Sequence, residues 1–465
     1  MRDLDAVIKA YDVRGTVPDQ LDAELVRDVG AAFVHAVGAR NADGGPGAVV
    51  VGNDMRESGP ELVAAFSDGV CGQGCDVVRI GLCSTDGLYF ASGRLGLPGA
   101  MFTASHNPAQ YNGIKMCRPG AAPVGQDTGL GEIKHMIAEG AIPEPEGQRG
   151  SVRDRDLLGE YAGFLRSLVD VSGIRPLRVV VDAGNGMAGL TVPAVLGTQA
   201  GLAPLPVTVS PMYFELDGSF PNHPANPIEP ANLVALCERV RQVGADLGLA
   251  FDGDADRCFV VDEQGNPVNP SALGCMIADR ILTDEPGATI IHNVITSRAL
   301  PELVERRGGK PVRTRVGHSF IKGTMAETGA VFGGEHSGHY YFRDFWRADS
   351  GMLAALHVLF ALGHTEPGTT LSSLVDTYQV YRNSGEINSE VADQAAATEA
   401  IRTRYAGQEM DELDGLTVCG DGYWFNVRPS NTEPLLRLNV EADDDETLDR
   451  VTNEVLAIIR GGRDA

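Results

Sequence analysis

Ala48-Val49-Val50-Val51, then the amphipathic stretch Pro60 to Val70, then Asp76-Val77-Val78-Arg79-Ile80 form the segment whose reading decides the fold. A short β-branched run, a helix-periodic stretch and a second short run predict strand, helix, strand, the unit of a mainly parallel sheet covered by helices. Outward from it, the same alternation returns at Leu177–Val181 and Ala245–Phe251, and again at Thr289–Val294 and Ala330–Phe332. Breaks at Glu139–Gly150 and Gly265–Pro270 divide these into three α/β units. The C-terminal segment reads differently. Leu416–Cys419, Tyr423–Val427 and Leu435–Val440 lie close together around Gly420-Asp421-Gly422, which predicts an antiparallel meander. Asp445–Arg460 then places Leu448, Val451, Val455, Ile458 and Ile459 at helical spacing behind acidic residues suited to a helix start. The expected organisation is α/β in 1–148, 149–262 and 263–369, with an α+β domain in 370–465.

At 465 residues the chain exceeds one ordinary hydrophobic core, which agrees with several domains. A net charge of −25 repels polyanions over most of the surface, and no Lys/Arg-rich run offers a local exception, so nucleic acid is not an expected partner. A small anionic substrate meets the same repulsion and needs a local cluster of cations, amide donors or a metal. The first residues carry Arg2, Asp3, Asp5, Lys9, Asp12 and Arg14, which leaves no apolar run of export-signal length. The most apolar stretch, Met352 to Leu362, contains His357 and is too short to span a bilayer, so it reads as a buried helix. Cys71, Cys75, Cys83, Cys117, Cys237, Cys258, Cys275 and Cys419 are scattered without a C-x-x-C pair, as expected of buried thiols in a reducing compartment. A cytoplasmic protein with no membrane partner is the expectation.

Four segments carry chemistry. Met101-Phe102-Thr103-Ala104-Ser105-His106-Asn107-Pro108 is a β-like entry into a loop, because Pro108 keeps Asn107 out of a helix. Ser105 then stands at the carboxyl end of a strand, where open α/β sheets place ligands. As an exposed loop hydroxyl it is expected to contribute little to packing. A neutral serine is a weak nucleophile, so it needs a base or an attached phosphoryl group, with His106 and Lys115 as nearby candidates. Phe251-Asp252-Gly253-Asp254-Ala255-Asp256-Arg257 sets three carboxylates at alternate positions after an apolar run. They repel one another unless a cation intervenes, and oxygen ligands favour a hard ion such as Mg²⁺. An EF-hand would use Asp252, Asp254, Asp256 and Glu263, but Arg257 occupies the position that requires glycine, and the flanks read as strands. Arg257 fits an anion that shares the metal.

Gly333-Gly334-Glu335-His336-Ser337-Gly338-His339 follows another apolar run. In an extended segment Glu335 and Ser337 project to one side and can grip two adjacent sugar hydroxyls. Arg428-Pro429-Ser430-Asn431-Thr432-Glu433-Pro434 gathers a guanidinium, two hydroxyls and an amide among backbone N–H groups, a compact anion cradle.

In this order the four segments resemble the active-site loops of the α-D-phosphohexomutase superfamily, one per domain. The resemblance spans essentially the whole chain. Lys9-Ala10-Tyr11-Asp12-Val13-Arg14-Gly15, Val181-Asp182-Ala183-Gly184-Asn185-Gly186 and Arg315-Val316-Gly317-His318-Ser319 extend it. It implies four domains around a central cleft, a phosphorylated Ser105, Mg²⁺ held by Ser105, Asp252, Asp254 and Asp256, and a hexose 1,6-bisphosphate as intermediate and activator. It further implies Ser105, Lys115, His106, Arg257, His339 and Arg14 as the catalytic set. Tyr11, Gly317, His318, Glu335, Ser337, Arg428, Ser430, Asn431 and Thr432 would bind the hexose phosphate. The serine and sugar loops look like the phosphomannomutase/phosphoglucomutase branch, most like bacterial phosphomannomutases. Interconversion of mannose 6-phosphate and mannose 1-phosphate is therefore expected, with phosphoglucomutase the alternative and phosphoglucosamine mutase behind both. Retention of Ser105 and all three aspartates argues against a silent sugar-phosphate sensor. One departure is Ile295, where some members place an active-site lysine, which shifts more of the cationic role to Lys115, Arg14, Arg257 and His318.

Overall fold

The computed structural model describes residues 3–39, 47–144, 147–429 and 435–461. The chain divides into two compact units, Met1–Val268 with Ser337–Ser372, and Asn269–His336 with Ser373–Ala465.

Among the described residues, two sheets lie wholly within the first unit. In the first, Ala48–Asn53 lies between Asp76–Leu82 and Gly99–Phe102, parallel to both, and Val152–Asp154 extends it beyond Asp76–Leu82. On the other side Tyr111–Arg118 runs antiparallel to Gly99–Phe102, and Val13–Thr16 closes the edge antiparallel to it. The β-branched run of the decisive segment is buried because sheet and helices cover it: Val49, Val50 and Val51 are fully enclosed. Val49 and Val51 pack with Phe66 of the helix Gly59–Gly72 and Phe33 of the helix Ala23–Ala36. Phe66 sits 5.8 Å from Phe33 and 5.5 Å edge-on from Phe102, each such side chain contributing about 1.5–3 kcal/mol by burial. Phe102 thereby anchors the strand that delivers the serine loop.

In the second sheet Leu247–Phe251 pairs in parallel with Leu177–Asp182, which pairs in parallel with Val207–Met212, while Cys258–Val261 returns antiparallel along Leu247–Phe251. Every residue of Leu247–Phe251 is buried, so the acidic segment that follows emerges from a covered strand end. The apolar run near residue 352 is the buried helix Gly351–Gly363, capped by Ser350, whose hydroxyl accepts from the Leu353 N–H at 3.0 Å.

The second unit has an α/β part and an antiparallel part. Thr289–Asn293 is flanked in parallel by Lys310–Thr314 and Phe332–Gly334. The last strand begins two residues later than its apolar run suggests, because Gly329, left-handed at φ 68°, first ends the helix His318–Thr328. The antiparallel sheet runs Arg382–Glu390, Leu435–Ala442, Tyr423–Pro429, Leu416–Gly420, Glu409–Asp411. The helix Asp445–Ile459 buries Val451, Val455 and Ile459 in a core with Phe425, Leu436, Leu438 and Val440. Arg382–Glu390 has no apolar alternation to announce it. It becomes an edge strand by pairing with Leu435–Ala442, with a bulge between Asn383 and Glu386.

No helix among the described residues is long and apolar enough to cross a membrane. None of the eight cysteines is in a disulfide, and all but Cys419 are buried.

Candidate functional site

Gly99–Phe102 ends at Thr103, and the chain turns sharply through Ser105, whose φ of +48° lies in the left-handed region. Such a conformation costs a non-glycine residue about 1–3 kcal/mol and persists only where its surroundings enforce it. The Ser105 N–H donates to Thr103 Oγ1 at 2.9 Å, and its hydroxyl donates to Asp252 Oδ2 at 2.8 Å. The exposed loop tip expected from sequence is corrected here: Ser105 is only 5% exposed, pressed against the segment after Leu247–Phe251. That approach requires Gly253, because a Cβ there would lie 2.4 Å from the Ser105 carbonyl oxygen.

Asp252, Asp254 and Asp256 are buried, and one carboxylate oxygen of each lies within 4.8 Å of the others. Lys115, from the strand Tyr111–Arg118, donates to Asp254 Oδ2 at 2.7 Å and Asp256 Oδ2 at 2.6 Å. Arg257 donates through Nε to Asp252 Oδ2 at 2.8 Å, and the Thr85 hydroxyl to Asp254 Oδ2 at 2.6 Å. Two cations face three carboxylates. The imbalance appears in Asp252, which burial and then crowding by Asp256 and Asp254 push up to about 7 despite Arg257. Asp254 goes the other way: burial would raise it, but Lys115 holds it below the usual carboxylate range. Burial likewise opposes the charge on Lys115, yet Asp254 and Asp256 keep its ammonium well above its ordinary value. Among the described residues, Asp254 Oδ1 and Asp256 Oδ1 are buried without a hydrogen-bond partner. Unsatisfied carboxylate oxygens in a cage with excess negative charge fit a hard divalent cation. Glu263, the remaining residue of the EF-hand spacing, instead accepts from the Ser372 N–H at 3.0 Å.

The imidazoles differ. His106 Nδ1 accepts from Arg257 Nη2 at 2.8 Å and stands 3.3 Å from Ser105 Oγ. Burial and then Arg257 push His106 down to about 3, so the ring is neutral and its Nδ1 lone pair is already engaged. His339 pairs along the backbone with Arg257, places Nε2 3.6 Å from Asp256 Oδ1, and has Nδ1 2.8 Å from Ser337 Oγ. Arg14 donates to Asn107 Oδ1 at 2.6 Å and pairs with Asp12, so it braces the far side of the serine loop. Tyr11 lies partly buried in the bend before Val13–Thr16.

In the second unit Glu335 is 5% exposed, and its Oε1 accepts from Asn293 Nδ2 at 3.3 Å and from the Gly317 N–H at 3.1 Å. Gly317 (φ +130°) immediately precedes His318, the first residue of its helix. Arg428, near the end of Tyr423–Pro429, has Nη2 3.3 Å from Glu386 Oε2 and Nη1 3.9 Å from Asp414 Oδ2. Burial lowers its pKa, opposed by Asp414 and Glu386. Ser430, Asn431 and Thr432 lie outside the described residues. The extended geometry expected to align Glu335 with Ser337 stops at Gly334, after which the chain turns. Glu335 engages Asn293 and Gly317, and Ser337 engages His339.

Thr85 and Arg56 escaped the sequence reading, and Asp182 was read only as part of a matching segment, with no role given to it. Thr85 reaches Asp254 from the start of the helix Thr85–Leu95. Asp182 pairs with His223 at 3.0 Å in a segment whose Met187 N–H donates to the Gly253 carbonyl at 2.9 Å, buttressing the acidic loop. Arg56 is buried beneath the serine loop. A signal for Arg56 existed: Asp54-Met55-Arg56 directly follows Ala48–Asn53, the same kind of strand end that delivers Ser105 and Asp252.

Comparison with known proteins agrees with this geometry. Models described as phosphoglucomutase/phosphomannomutase alpha/beta/alpha domains I, II and III match residues 5–141, 160–265 and 269–381, and the C-terminal domain matches 386–458. The chain is 42% identical to a Xanthomonas campestris protein named phosphohexose mutases, over 97% of this chain and 99% of that one. It is 38% identical to a phosphomannomutase of Escherichia coli, with 97% and 98% covered. It is 36% identical to a phosphomannomutase/phosphoglucomutase of Pseudomonas aeruginosa, with 96% and 94% covered. A crystal structure of a phosphoglucomutase/phosphomannomutase family protein from Burkholderia thailandensis superposes with a TM-score of 0.87 at 32% identity, covering 100% of this chain and 99% of that one. With its four-domain architecture, this chain belongs to the phosphoglucomutase/phosphomannomutase family and is a phosphohexomutase, an isomerase that works by phosphoryl transfer.

Proposed function

We propose that this phosphohexomutase is a phosphomannomutase that interconverts mannose 6-phosphate and mannose 1-phosphate through a phosphorylated Ser105 and a hexose 1,6-bisphosphate. The observation that carries the reading is the 2.8 Å contact between the Ser105 hydroxyl and the carboxylate cage. Asp252, Asp254 and Asp256, together with Ser105, would hold Mg²⁺, which when bound supplies positive charge to the transferring phosphoryl group.

In the forward step a hydroxyl of the hexose phosphate attacks phosphorus on Ser105. The bond from phosphorus to the sugar oxygen forms, the bond to Ser105 Oγ breaks, and the sugar proton passes to a base. Lys115 and His339 are assigned the proton transfers. His339 suits the base role because its Nε2 faces the cage. His106, neutral and bound by Arg257 at Nδ1, is assigned to orient Arg257 beside the serine. Arg257, Lys115 and Arg14 offset charge as it spreads over the phosphoryl oxygens, so that positioning and electrostatics carry the rate. The bisphosphate then turns end for end, its second phosphate is transferred to Ser105, and the product leaves. Glu335, Ser337, Tyr11, Gly317 and His318 are assigned to the sugar and its hydroxyls. Arg428 with Ser430, Asn431 and Thr432 is assigned to the phosphate that is not reacting.

The mannose assignment is supported by the phosphomannomutase of Escherichia coli, and a dual or glucose preference by the phosphomannomutase/phosphoglucomutase of Pseudomonas aeruginosa. Steady-state kcat/KM with mannose 1-phosphate and glucose 1-phosphate, each with Mg²⁺ and catalytic hexose bisphosphate, separates them. A higher value for mannose is expected. An equal or higher value for glucose would replace the assignment with a dual enzyme or a phosphoglucomutase.

A further inference from the structure

Arg56 is not used by the chemistry above, yet it is among the most deeply placed charges in the chain, at 2% exposure. Guanidinium groups are seldom fully buried unless every donor is matched. Here Nη1 donates to the carbonyls of Pro108 and Tyr111, each at 2.8 Å, and Nη2 to those of Ser105 at 2.9 Å and Asn107 at 2.7 Å. Nε faces Asp54 Oδ2 at 3.2 Å, and Asp54 Oδ1 accepts from the Arg56 N–H at 3.0 Å. The ring of Phe220 covers the guanidinium at 5.2 Å. Four carbonyls from both arms of the serine loop therefore converge on one rigid planar cation.

A backbone at φ +48° relaxes unless something holds it, and among these contacts Arg56 is the group that reaches the Ser105 carbonyl itself. We propose that Arg56, anchored by Asp54 and covered by Phe220, is the positioning residue of the nucleophile: it fixes the loop from Ser105 to Tyr111 so that Ser105 Oγ stays at the carboxylate cage. The proposal rests on the phosphoserine reading and extends it, because it assigns rate to a residue that touches neither sugar nor phosphate. It also separates geometry from charge. Lysine keeps the positive charge but offers a point donor on a flexible stem, which cannot span four carbonyls in one plane.

The test uses the full chain. Phosphoserine per chain is counted by intact mass, and kcat is expressed per phosphorylated chain, so that loss of folded protein does not register as loss of rate. Arg56→Lys is expected to lower kcat by about a hundredfold, the size of effect that a displacement of ~1 Å produces, with KM within about threefold of the parent. The dissociation constant for Mn²⁺, read by electron paramagnetic resonance, should rise by no more than about tenfold, since the loop carries Ser105, one of the four assigned ligands, while the three aspartates stay in place. Asp54→Asn keeps Arg56 while weakening its anchor, and is expected to give a smaller kcat loss of about tenfold. It carries the test should Arg56→Lys not fold. Unchanged kcat per phosphorylated chain in the folded variants overturns the positioning role, as does a kcat loss matched by an equal rise in KM or by complete loss of Mn²⁺ binding, which would place the damage in the cage. A parent chain that accepts no phosphoryl group overturns the phosphoserine reading as well, and is seen before any variant is made.

Discussion

The two ends of the proposed chemistry are built on opposite principles. Around Ser105 every charge has a short, buried partner: Lys115 bridges two aspartates at 2.7 and 2.6 Å, and Arg257 holds the third at 2.8 Å. Around Arg428 the acidic partners among the described residues are longer and looser, Glu386 at 3.3 Å and Asp414 at 3.9 Å. The first arrangement costs desolvation once, during folding, and then presents fixed charge to a reacting phosphorus atom. In the proposed role the second would leave a guanidinium free to exchange its acidic neighbours for a phosphate with better, bidentate geometry. Rigid charge belongs with bond making, and exchangeable charge with a ligand that must be bound by either end and released.

The largest expected effect lies on the rigid side. Ser105→Ala should reduce mutase turnover to background, while urea denaturation shows only about 1 kcal/mol of lost stability from its bond to Asp252. Turnover near the parent rate would remove Ser105 from the mechanism. Lys115→Met comes next, because it strips the cation from two buried carboxylates. Unfolding free energy in chelator should fall by about 3–5 kcal/mol. Saturating Mg²⁺ should restore about 2.7 kcal/mol at a hundredfold excess over its dissociation constant. Equal stability of parent and variant in chelator would show that the cage is not held by Lys115.

On the exchangeable side, Arg428→Ala should raise KM by about ten- to a hundredfold, corresponding to one lost charge-assisted hydrogen-bond set, with a smaller change in kcat. A fall in kcat at constant KM would place Arg428 with the rigid group instead. The smallest effect concerns the buttress behind the acidic loop. The hydrogen bond to Asp182 raises the His223 pKa against the opposing effect of burial. A raised folded value means the stabilisation is fully present below the unfolded value of about 6.5 and fades as pH climbs through the folded one. The difference in Tm between the parent and His223→Gln should therefore be larger at pH 6 than at pH 9. A constant or growing difference would contradict the pair's role.

The sequence made the rigid side more legible than the exchangeable one. Phe251-Asp252-Gly253-Asp254-Ala255-Asp256-Arg257 could be read because three like charges after a buried strand have few neutral explanations, and Pro108 marked the serine loop as a turn. The strands around residues 48, 76, 177 and 289 announced themselves through β-branched runs, and the one at 247 through a continuous apolar run, as a covered parallel sheet requires. Arg382–Glu390 did not, since its pairing comes from a neighbour and not from its own pattern. Burial of Ser105 was equally hidden, because it depends on Gly253 and Arg56, which lie far off in sequence and meet it only after folding. Arg56 illustrates the general difficulty: nothing around an isolated Asp-x-Arg tells how many carbonyls the fold will bring to it.

The most direct measurement is the fate of phosphate on Ser105. Chain incubated with hexose 1,6-bisphosphate and Mg²⁺, digested and analysed by mass spectrometry, should carry one phosphoryl group on the peptide containing Ser105. That group should disappear when hexose monophosphate is added, with hexose bisphosphate appearing in equal amount. A peptide that stays unmodified while the enzyme turns over, or a modification that substrate does not remove, would contradict the account.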